Sequence, residues 1–306
     1  MSDIAVLLSA YNGHAFLPAQ LNSLAAQAGL GAPLLFWRDD GSTDATPDLL
    51  RRFSWPGGTV REAGALPPRQ GAARSFLALL SACPEADAYA FCDQDDVWLP
   101  EKLSRGLRRL AALPTDRPAL YCGRQRLVDE ALKPVGLSPL PPRPPAFANA
   151  LVQNIATGCT VILNPAARRL VNAAGPAPEG SMHDWWCYLL VTGAGGEVLF
   201  DAEPQILYRQ HGRNAVGAAP SAARRGMAAA KRGPAAFQRI FAAHLEALDR
   251  ASSLLTPEAA AKVAVLRAAR QRGPLARLRA LREVGAYRQR FSEDLVLRAW
   301  AVLSPG

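Results

Sequence analysis

The sequence has 306 residues, of which 49% are hydrophobic and 20% are charged, and its mean hydropathy is −0.01. This composition is typical of a globular chain and excludes a wholly disordered protein. No apolar run is long enough for a transmembrane helix, and the N-terminus lacks the basic region of a signal peptide, so we expect the chain to stay in the cytoplasm. The five cysteines are an odd number without a CxxC pair, which predicts free thiols and no disulfide framework or zinc site.

The net charge of +9 is unevenly distributed along the chain. Residues 1–219 contain 19 basic and 20 acidic residues, whereas residues 220–306 contain 16 basic and 6 acidic ones. This difference predicts a near-neutral domain at 1–217 followed by a basic extension at 218–306. The richness in Ala, Arg and Pro also indicates a coding bias, so part of the arginine excess carries no functional message.

Strands and helices alternate in the first hundred residues. Apolar or β-prone runs predict strands over Ile4–Ser9, Leu34–Trp37, Thr59–Glu62 and Ala88–Cys92. Apolar residues at helical spacing predict helices over 15–27 and 70–82, and a third, capped by Thr43 or Asp44, around residue 50. This alternation predicts an α/β fold with a mostly parallel sheet, in which ligands bind at the carboxyl ends of the strands.

The remaining chain is less regular. Its proline-rich segment 114–150 predicts a long loop with little regular structure. Short strands are predicted at 160–163, 198–201 and 206–208, and an aromatic-rich helix at 182–192. Beyond residue 219 the composition predicts helices that are broken near Gly233-Pro234 and near Gly273-Pro274.

Two acidic segments follow predicted strands. In the first, Asp93, Asp95 and Asp96 place three carboxylates within four residues, and like charges this close raise one another's pKa unless a cation lies among them. Mg²⁺ or Mn²⁺ with oxygen ligands is the natural counter-ion. The second segment, from Asp39 to Asp44, has the sequence DDGSTD. Taken alone, the first is better explained by an acidic loop with a helix N-cap, and the second by a turn with a helix cap.

Three further residues have side chains suited to binding or catalysis. Tyr11 ends the first strand, where its ring could stack on a nucleotide base or join the core. Asp184 precedes two tryptophans, and apolar surroundings would raise its pKa toward that of a general base; the alternative is a capping residue beside core tryptophans. His211 is either a contact to metal or phosphate or a lone surface histidine.

Together these segments resemble family 2 glycosyltransferases of the GT-A fold, and most of all the rhamnosyltransferase-type members that build bacterial surface polysaccharides. The resemblance covers about residues 3–217. It rests, in this order, on VLLSAYNGHAFLPAQLNSL, RDDGSTD, QGAARSF, FCDQDDVWLPEKL, MHDWW and LYRQHGRN. It implies a Rossmann-like nucleotide-diphospho-sugar transferase domain, to which the basic helical extension is added.

The resemblance also implies which residues bind a nucleotide-sugar donor. Tyr11 would stack on the base, and Asp40 would accept a hydrogen bond from the N3–H of uracil or thymine. Arg74 would lie near the base or the phosphates, and Asp93 near the ribose and the sugar. Ala10 departs from the Thr or Ser that many relatives have before the tyrosine, which removes one hydroxyl contact to the base.

The same resemblance implies the residues that carry the chemistry. Asp95 and His211 would hold Mg²⁺ or Mn²⁺ at the diphosphate, where a Lewis acid stabilises the leaving group. Asp184 would take the proton of the acceptor hydroxyl as it attacks the opposite face of the sugar, which inverts the anomeric configuration. Asp39 and Asp96 match the pattern less securely, since either could be structural.

The donor and the class of activity leave alternatives open. Rhamnose from dTDP-rhamnose is the first choice on resemblance, and a UDP-hexose is the alternative because the base-pocket residues do not separate thymine from uracil. A sugar nucleotidyltransferase would need a glycine-rich basic loop after the first strand, which residues 11–14 lack. A non-catalytic nucleotide-sugar binder is disfavoured by the intact carboxylates.

The basic extension interleaves arginines with leucines between residues 266 and 291. Basic amphipathic helices bind anionic membrane surfaces, and the acceptor we expect is a saccharide or a lipid-linked saccharide. We therefore expect peripheral association with the inner leaflet. Solvated helix faces or a dimerisation arm are the alternatives, and nucleic acid is not an expected partner because aromatic residues are not interleaved.

Overall fold

The structure is a computed structural model and describes residues 3–64, 67–212 and 222–303. Its strands, in chain order, are β1 (Ile4–Ala10), β2 (Leu34–Asp39), β3 (Thr59–Glu62), β4 (Ala88–Cys92), β5 (Val97–Trp98), β6 (Ala119–Gly123), β7 (Arg126–Val128), β8 (Pro134–Leu137), β9 (Ile162–Leu163), β10 (Glu197–Asp201) and β11 (Ile206–Arg209). Its helices are α1 (Leu17–Ala25), α2 (Thr46–Arg52), α3 (Ala72–Ala82), α4 (Lys102–Ala111), α5 (Phe147–Ala150), α6 (Pro165–Ala174), α7 (His183–Gly193), α8 (Ala222–Arg250), α9 (Pro257–Arg270), α10 (Pro274–Glu283) and α11 (Phe291–Leu303).

The strands form two sheets. The larger has the order β10-β6-β9-β4-β1-β2-β3, and every pair in it is parallel except those of β9, which runs antiparallel to both β4 and β6. The smaller has the order β5-β11-β7-β8 and stands beside the carboxyl end of β4, because β5 follows β4 after four residues. The expected α/β fold with a mostly parallel sheet is confirmed.

The central strands are buried on both faces, as their continuous apolar sequences predict. Along β1, Ala5 and Leu7 belong to a core shared with α3, α7 and the C-terminal helices. Ile4, Val6 and Leu8 belong to a second core shared with α1 and α4. Helices therefore cover both faces of the larger sheet, and only its strand ends are left for a binding site.

The prediction of a long loop at 114–150 is wrong. This segment contains β6, β7, β8 and α5, and β6 is fully buried between β9 and β10. The prolines are compatible with this structure because most of them lie in the connection between β8 and α5. Pro134 begins β8 at the edge of the smaller sheet, where a missing N–H costs no ladder hydrogen bond.

Other differences are smaller. The strand predicted at 160–163 is shorter, because a 3₁₀ turn at Gly158–Thr160 precedes β9. Helices α4 and α6 were not predicted. The five cysteines are free and buried, as expected.

The C-terminal helices pack against the face of the larger sheet that α3 and α7 cover. Helix α8 is kinked at Gly233 and α10 starts after Gly273, which confirms the two predicted breaks. Phe237 and Phe241 of α8 join the core that contains α7. The predicted boundary between residues 217 and 218 lies outside the described residues. Among the helices of the described ranges, none has the length and apolar character needed to cross a bilayer.

Candidate active site

Three strand ends meet at one edge of the larger sheet. The parallel pairing aligns Ala10 of β1 with Asp39 of β2, and Leu8 of β1 with Cys92 of β4. The residues that follow these strands therefore lie side by side. This places Tyr11, the DDGSTD turn and the acidic segment at 93–96 in one region, as the sequence predicted.

Gln94 joins the ends of β1 and β4. Its Oε1 accepts a hydrogen bond from the N–H of Tyr11 (2.9 Å) and its Nε2 donates to the carbonyl of Tyr11 (3.0 Å). Gly13 lies so close to the Gln94 amide that a Cβ would displace it. Gln94 therefore fixes the loop in which Tyr11 presents a ring that is 50% exposed, which leaves a face available for stacking.

The turn after β2 is held by its own side chains. Asp39 Oδ2 accepts from the N–H of Ser42 (2.8 Å), and Ser42 Oγ accepts from the N–H of Asn12 in the neighbouring loop (2.8 Å). Asp44 Oδ1 accepts from the N–H of Thr46 (3.0 Å) at the start of α2. The contacts of Asp39 are those of a residue that shapes the turn.

Asp40 is buried and forms an ion pair with Arg38 (2.8 Å). The same carboxylate accepts from the N–H groups of Gln70 (3.0 Å) and Gly71 (2.9 Å), which lead into α3. Asp40 therefore anchors the loop that ends at α3. These contacts leave few lone pairs of its carboxylate free to bind a nucleotide base. Arg74 lies in the first turn of that helix and is exposed.

Asp95 and His211 meet across the two sheets. His211 Nε2 lies 2.7 Å from Asp95 Oδ2, and the exposures of the two side chains are 5% and 16%. The ring of Phe16 stacks on the imidazole with centroids 4.6 Å apart. These two polar groups therefore converge on one point, shielded on one side by an aromatic ring.

Arg209 positions the acidic segment from the neighbouring strand. Its N–H donates to Asp96 Oδ1 (3.1 Å) and its Nε donates to the carbonyl of Asp95 (2.8 Å). Its guanidinium also lies 4.8 Å from the ring of Phe16. Sequence reasoning missed both Arg209 and Phe16, although Arg209 stands in the LYRQHGRN motif that supplied His211.

Burial shifts the pKa values of the acidic segment and of the lysine beside it. Burial, reinforced by the charges of Asp95 and Asp184, raises the pKa of Asp93 to about 8. Burial also raises the pKa of Asp96 well above its usual value, and Asp96 Oδ2 has no hydrogen-bond partner among the described residues. The buried Lys102 is 3.5 Å from the Trp98 ring, and burial lowers its pKa to about 8. Lys102 is thus a weakened counter-charge for the buried carboxylates.

These donors fit a hard divalent cation. Ligand atoms of Asp93, Asp96 and Cys159 lie within 4.8 Å of one another. Burial raises the pKa of Cys159 well above its usual value, so the thiol stays protonated and is a poor ligand. The carboxylate oxygens of Asp93 and Asp96 suit Mg²⁺ or Mn²⁺. Asp95 and His211 are not members of this cluster and form a pair of their own.

Asp184 is buried at the start of α7. Its Oδ2 accepts from the N–H of Gly158 (2.8 Å), its Oδ1 accepts from the N–H of Trp185 (2.6 Å), and Asn154 adds a side-chain hydrogen bond. Burial outweighs these bonds and raises the pKa of Asp184 to about 6. Its charge also raises the pKa of Asp93, so the two carboxylates lie near each other.

His183, next in sequence to Asp184, takes no part in this arrangement. Its ring is packed between Phe76 (centroids 4.3 Å apart) and Phe91 (4.7 Å), and neither ring nitrogen has a hydrogen-bond partner among the described residues. Burial lowers its pKa to about 3, so it stays neutral. The structure therefore leaves Asp184 as the titratable side chain of this pair near pH 6.

Comparison with known proteins identifies the class of enzyme. The sequence model of glycosyl transferase family 2 matches residues 5–159, about half of the chain, and the chain belongs to this family. It is a glycosyltransferase with a GT-A fold. The fold assignment is supported by S. aureus TarS 1–349 in complex with UDP-GlcNAc, which matches with a TM-score of 0.55 and 14% identity over 92% of this chain and 90% of that one.

Two relatives and a longer structure of TarS are also similar to this chain. The dTDP-rhamnosyl transferase RfbG of Shigella flexneri is 26% identical over 226 residues, which cover 69% of this chain and 74% of that protein. An uncharacterized glycosyltransferase of Nostoc sp., alr2836, is 32% identical over 106 residues, or 33% of this chain and 31% of that protein. In the longer TarS structure, with a TM-score of 0.51 and 16% identity, the match covers 68% of this chain and 37% of TarS.

Proposed function

We propose that this enzyme transfers a sugar, with inversion, from a nucleoside diphosphate donor to a hydroxyl of a saccharide. One observation carries the proposal: the buried Asp184, with a pKa raised to about 6, lies near Asp93 of the acidic segment at the strand ends. A carboxylate with this pKa is ionised at neutral pH and can still accept a proton from an attacking hydroxyl. Attack from the side opposite the diphosphate inverts the anomeric carbon.

The donor would occupy the edge formed by β1, β2 and β4. Tyr11, with its exposed ring, would stack on the base, and the exposed Arg74 would contact the phosphates. Asp93 would contact the ribose and the sugar. Asp40 would act mainly by holding the loop before α3, with its remaining lone pair directed to the base N3–H.

Asp95 and His211 would hold a divalent cation at the diphosphate, with Mg²⁺ or Mn²⁺ favoured by the carboxylate oxygens. Such an ion, when bound, supplies Lewis-acid stabilisation of the departing nucleoside diphosphate. Asp96 accepts a hydrogen bond from the N–H of Arg209 and would hold the acidic segment in place. Arg209 fixes Asp95 through its backbone carbonyl, so that the Asp95 side chain remains available as a ligand.

Similarity to the dTDP-rhamnosyl transferase RfbG favours dTDP-rhamnose as the donor. A UDP-hexose is the alternative, since the related TarS fold is seen with UDP-GlcNAc. We further propose that the acceptor is a surface-polysaccharide or lipid-linked saccharide. A lipid-linked acceptor would place the enzyme at the cytoplasmic face of the inner membrane, as a catalytic domain at 1–217 with a helical extension at 218–306.

A thermal-shift panel followed by a transfer assay tests the proposal. dTDP-rhamnose, UDP-glucose, UDP-galactose, GDP-mannose, dTDP and UDP are each added with and without Mn²⁺. A ligand that binds only the native state raises the melting temperature. A metal-dependent shift with one donor, followed by release of its nucleoside diphosphate in the presence of acceptor, supports the proposal. The absence of a shift with every nucleotide would contradict it.

A further inference from the structure

Exposed apolar side chains are concentrated on α11. The inner side of this helix is buried through Asp294, Leu297 and Ala301. The outer side carries large apolar side chains that face solvent: Phe291 (75% exposed), Leu295 (52%), Val296 (39%), Val302 (41%) and Leu303 (71%). At the helical period these five lie on the side of α11 opposite the buried residues, which is the pattern of a helix that rests on an apolar partner.

Arginines of α10 and of the segment before α11 accompany this apolar face. Residues 271–303 contain seven arginines and three acidic residues. Among the arginines, Arg279, Arg282 and Arg290 are exposed, and α10 adds the exposed Leu275 (72%). One of the acidic residues, Asp294, is buried. This part of the chain therefore combines exposed apolar side chains with a net positive charge.

This surface differs from the amphipathic face expected from the sequence alone. Leu266 and Leu281, which the sequence interleaves with arginines, belong to the protein core. Arg267 forms an ion pair with Asp249, so its charge is already partly compensated. The apolar contribution to membrane binding must therefore come mainly from α11, with Leu275 of α10.

We propose that the outer face of α11, with the arginines that accompany it, is the surface by which this enzyme binds an anionic lipid bilayer. Phe291 and Leu295 enter the headgroup region, and the arginines contact lipid phosphates. Charge complementarity favours an anionic bilayer over a second copy of this chain, because two copies of the same face would bring two sets of arginines together. The inference goes beyond the transfer reaction, and its test does not use catalysis.

The same face is fixed relative to the candidate base. Gln153 Nε2 donates to Glu293 in the first turn of α11 (3.0 Å), and Gln153 Oε1 accepts from the N–H of Gln289 (2.7 Å). The next residue, Asn154, hydrogen-bonds the carboxylate of Asp184. A bilayer bound at α11 would therefore lie at a set position from the group that receives the acceptor's proton.

Flotation of the full-length protein with lipid vesicles tests the inference. At low salt the protein should float with vesicles of phosphatidylglycerol and phosphatidylcholine, and not with phosphatidylcholine alone. Phe291→Ser with Leu295→Ser should weaken binding about tenfold or more, as expected for apolar side chains withdrawn from lipid. Val135→Ser, which changes an apolar residue of β8 that is 46% exposed, is the matched control and should bind unchanged.

A second variant separates charge from apolar contact. Arg282→Gln with Arg290→Gln should weaken binding and make it less sensitive to salt. Equal melting temperatures establish that the variants are folded. The inference fails if the wild type does not bind anionic vesicles at low salt, or if both double variants bind as the wild type does. It also fails if sedimentation shows a dimer that the Phe291 and Leu295 changes dissociate while vesicles remain unbound, which would assign the face to a second copy.

Discussion

The imidazole of His211 lies 2.7 Å from the carboxylate of Asp95, although 116 residues separate them in the chain. Asp95 follows a strand of the larger sheet, and His211 follows β11 of the smaller one. The pairing of β11 with β5 places His211 beside the acidic segment. The pair is therefore a product of the contact between the two sheets, and it can be tested by removing either partner.

Asp95→Asn and His211→Ala should each reduce transfer about 100-fold or more, because several kcal/mol of leaving-group stabilisation would depend on the ion that we propose they hold. Each variant should also require more Mn²⁺ for half-maximal rate. Transfer rates measured over a Mn²⁺ titration check this. Asp116→Asn, at an exposed turn, is the matched control; a Mn²⁺ requirement unchanged in the two site variants would contradict the assignment.

Asp184→Asn should lower turnover by about 10²–10⁴-fold, the usual contribution of a general base. Donor binding should be retained, since Asp184 is proposed to act on the acceptor. Donor affinity by calorimetry and turnover by nucleotide release check the two halves of this prediction. Turnover equal to the wild type would remove Asp184 from the mechanism.

The rate of the wild type should depend on pH through the same residue. Asp184 must be ionised to accept a proton, and its pKa is raised to about 6, so kcat/KM should fall as the pH drops below about 6. The measurement is kcat/KM at saturating Mn²⁺ between pH 5 and 8. A flat profile across pH 6 would contradict the prediction.

The folding stability should change with pH in the direction opposite to the rate, because of the same residue. Its pKa is raised in the folded state from 3.8 to about 6, so the folded protein holds this proton more tightly than the unfolded chain does. Asp184 therefore lowers stability progressively as the pH rises from about 4 to 6. The melting temperature of Asp184→Asn relative to wild type should accordingly be higher at pH 7.5 than at pH 4.5. A difference independent of pH would show that the buried carboxylate carries no such penalty.

Asp40→Ala should destabilise the protein by about 3–5 kcal/mol, because it leaves the buried guanidinium of Arg38 without its carboxylate. Urea unfolding measures the change. Asp48→Ala is the matched control, since it breaks an exposed pair with Arg51 whose contribution should be about 0–1 kcal/mol. Similar losses in the two variants would contradict the structural role, whereas weaker donor binding by a fully stable Asp40→Asn would favour contact with the base.

Gly106→Ala should also destabilise the protein, by about 1–3 kcal/mol, although alanine is the better helix former. Gly106 lies on the buried side of α4, where a Cβ would lie well inside van der Waals contact of Ile162 Cδ1 in β9. Thermal unfolding checks the sign. Arg109→Ala, on the exposed side of the same helix, should change stability by less than about 0.5 kcal/mol.

The parts of the fold that were predictable from sequence are those with one simple pattern. Strands β1, β2 and β4 are short apolar runs ended by polar turns, so length and burial agree. Helix α6 carried a signal that was overlooked: Asn164 accepts from the N–H of Ala167 and Pro165 follows it, which is a standard helix start. Strand β6 was missed because the prediction for 114–150 was based on the number of prolines and not on the apolar residues between them.

The site divides in the same way. Carboxylates after strand ends were predictable, since parallel topology brings those ends together. The Arg38–Asp40 pair, the stacking of Phe16 on His211 and the Asn154 contact to Asp184 were not, because each joins segments whose pairing is decided by tertiary packing. The assigned roles of Tyr11 and Arg74 remain predictions.

Strand β9 limits where segments of this enzyme and of a relative can be joined. The family match ends at residue 159, just before β9, while Asp184 and His211 come later in the chain. Yet β9 lies inside the larger sheet, between β4 and β6. A chimera joined at this point would import a central strand together with Asp184, the proposed base. Exchange of halves there would have to rebuild the pairing of β9 with both of its neighbours.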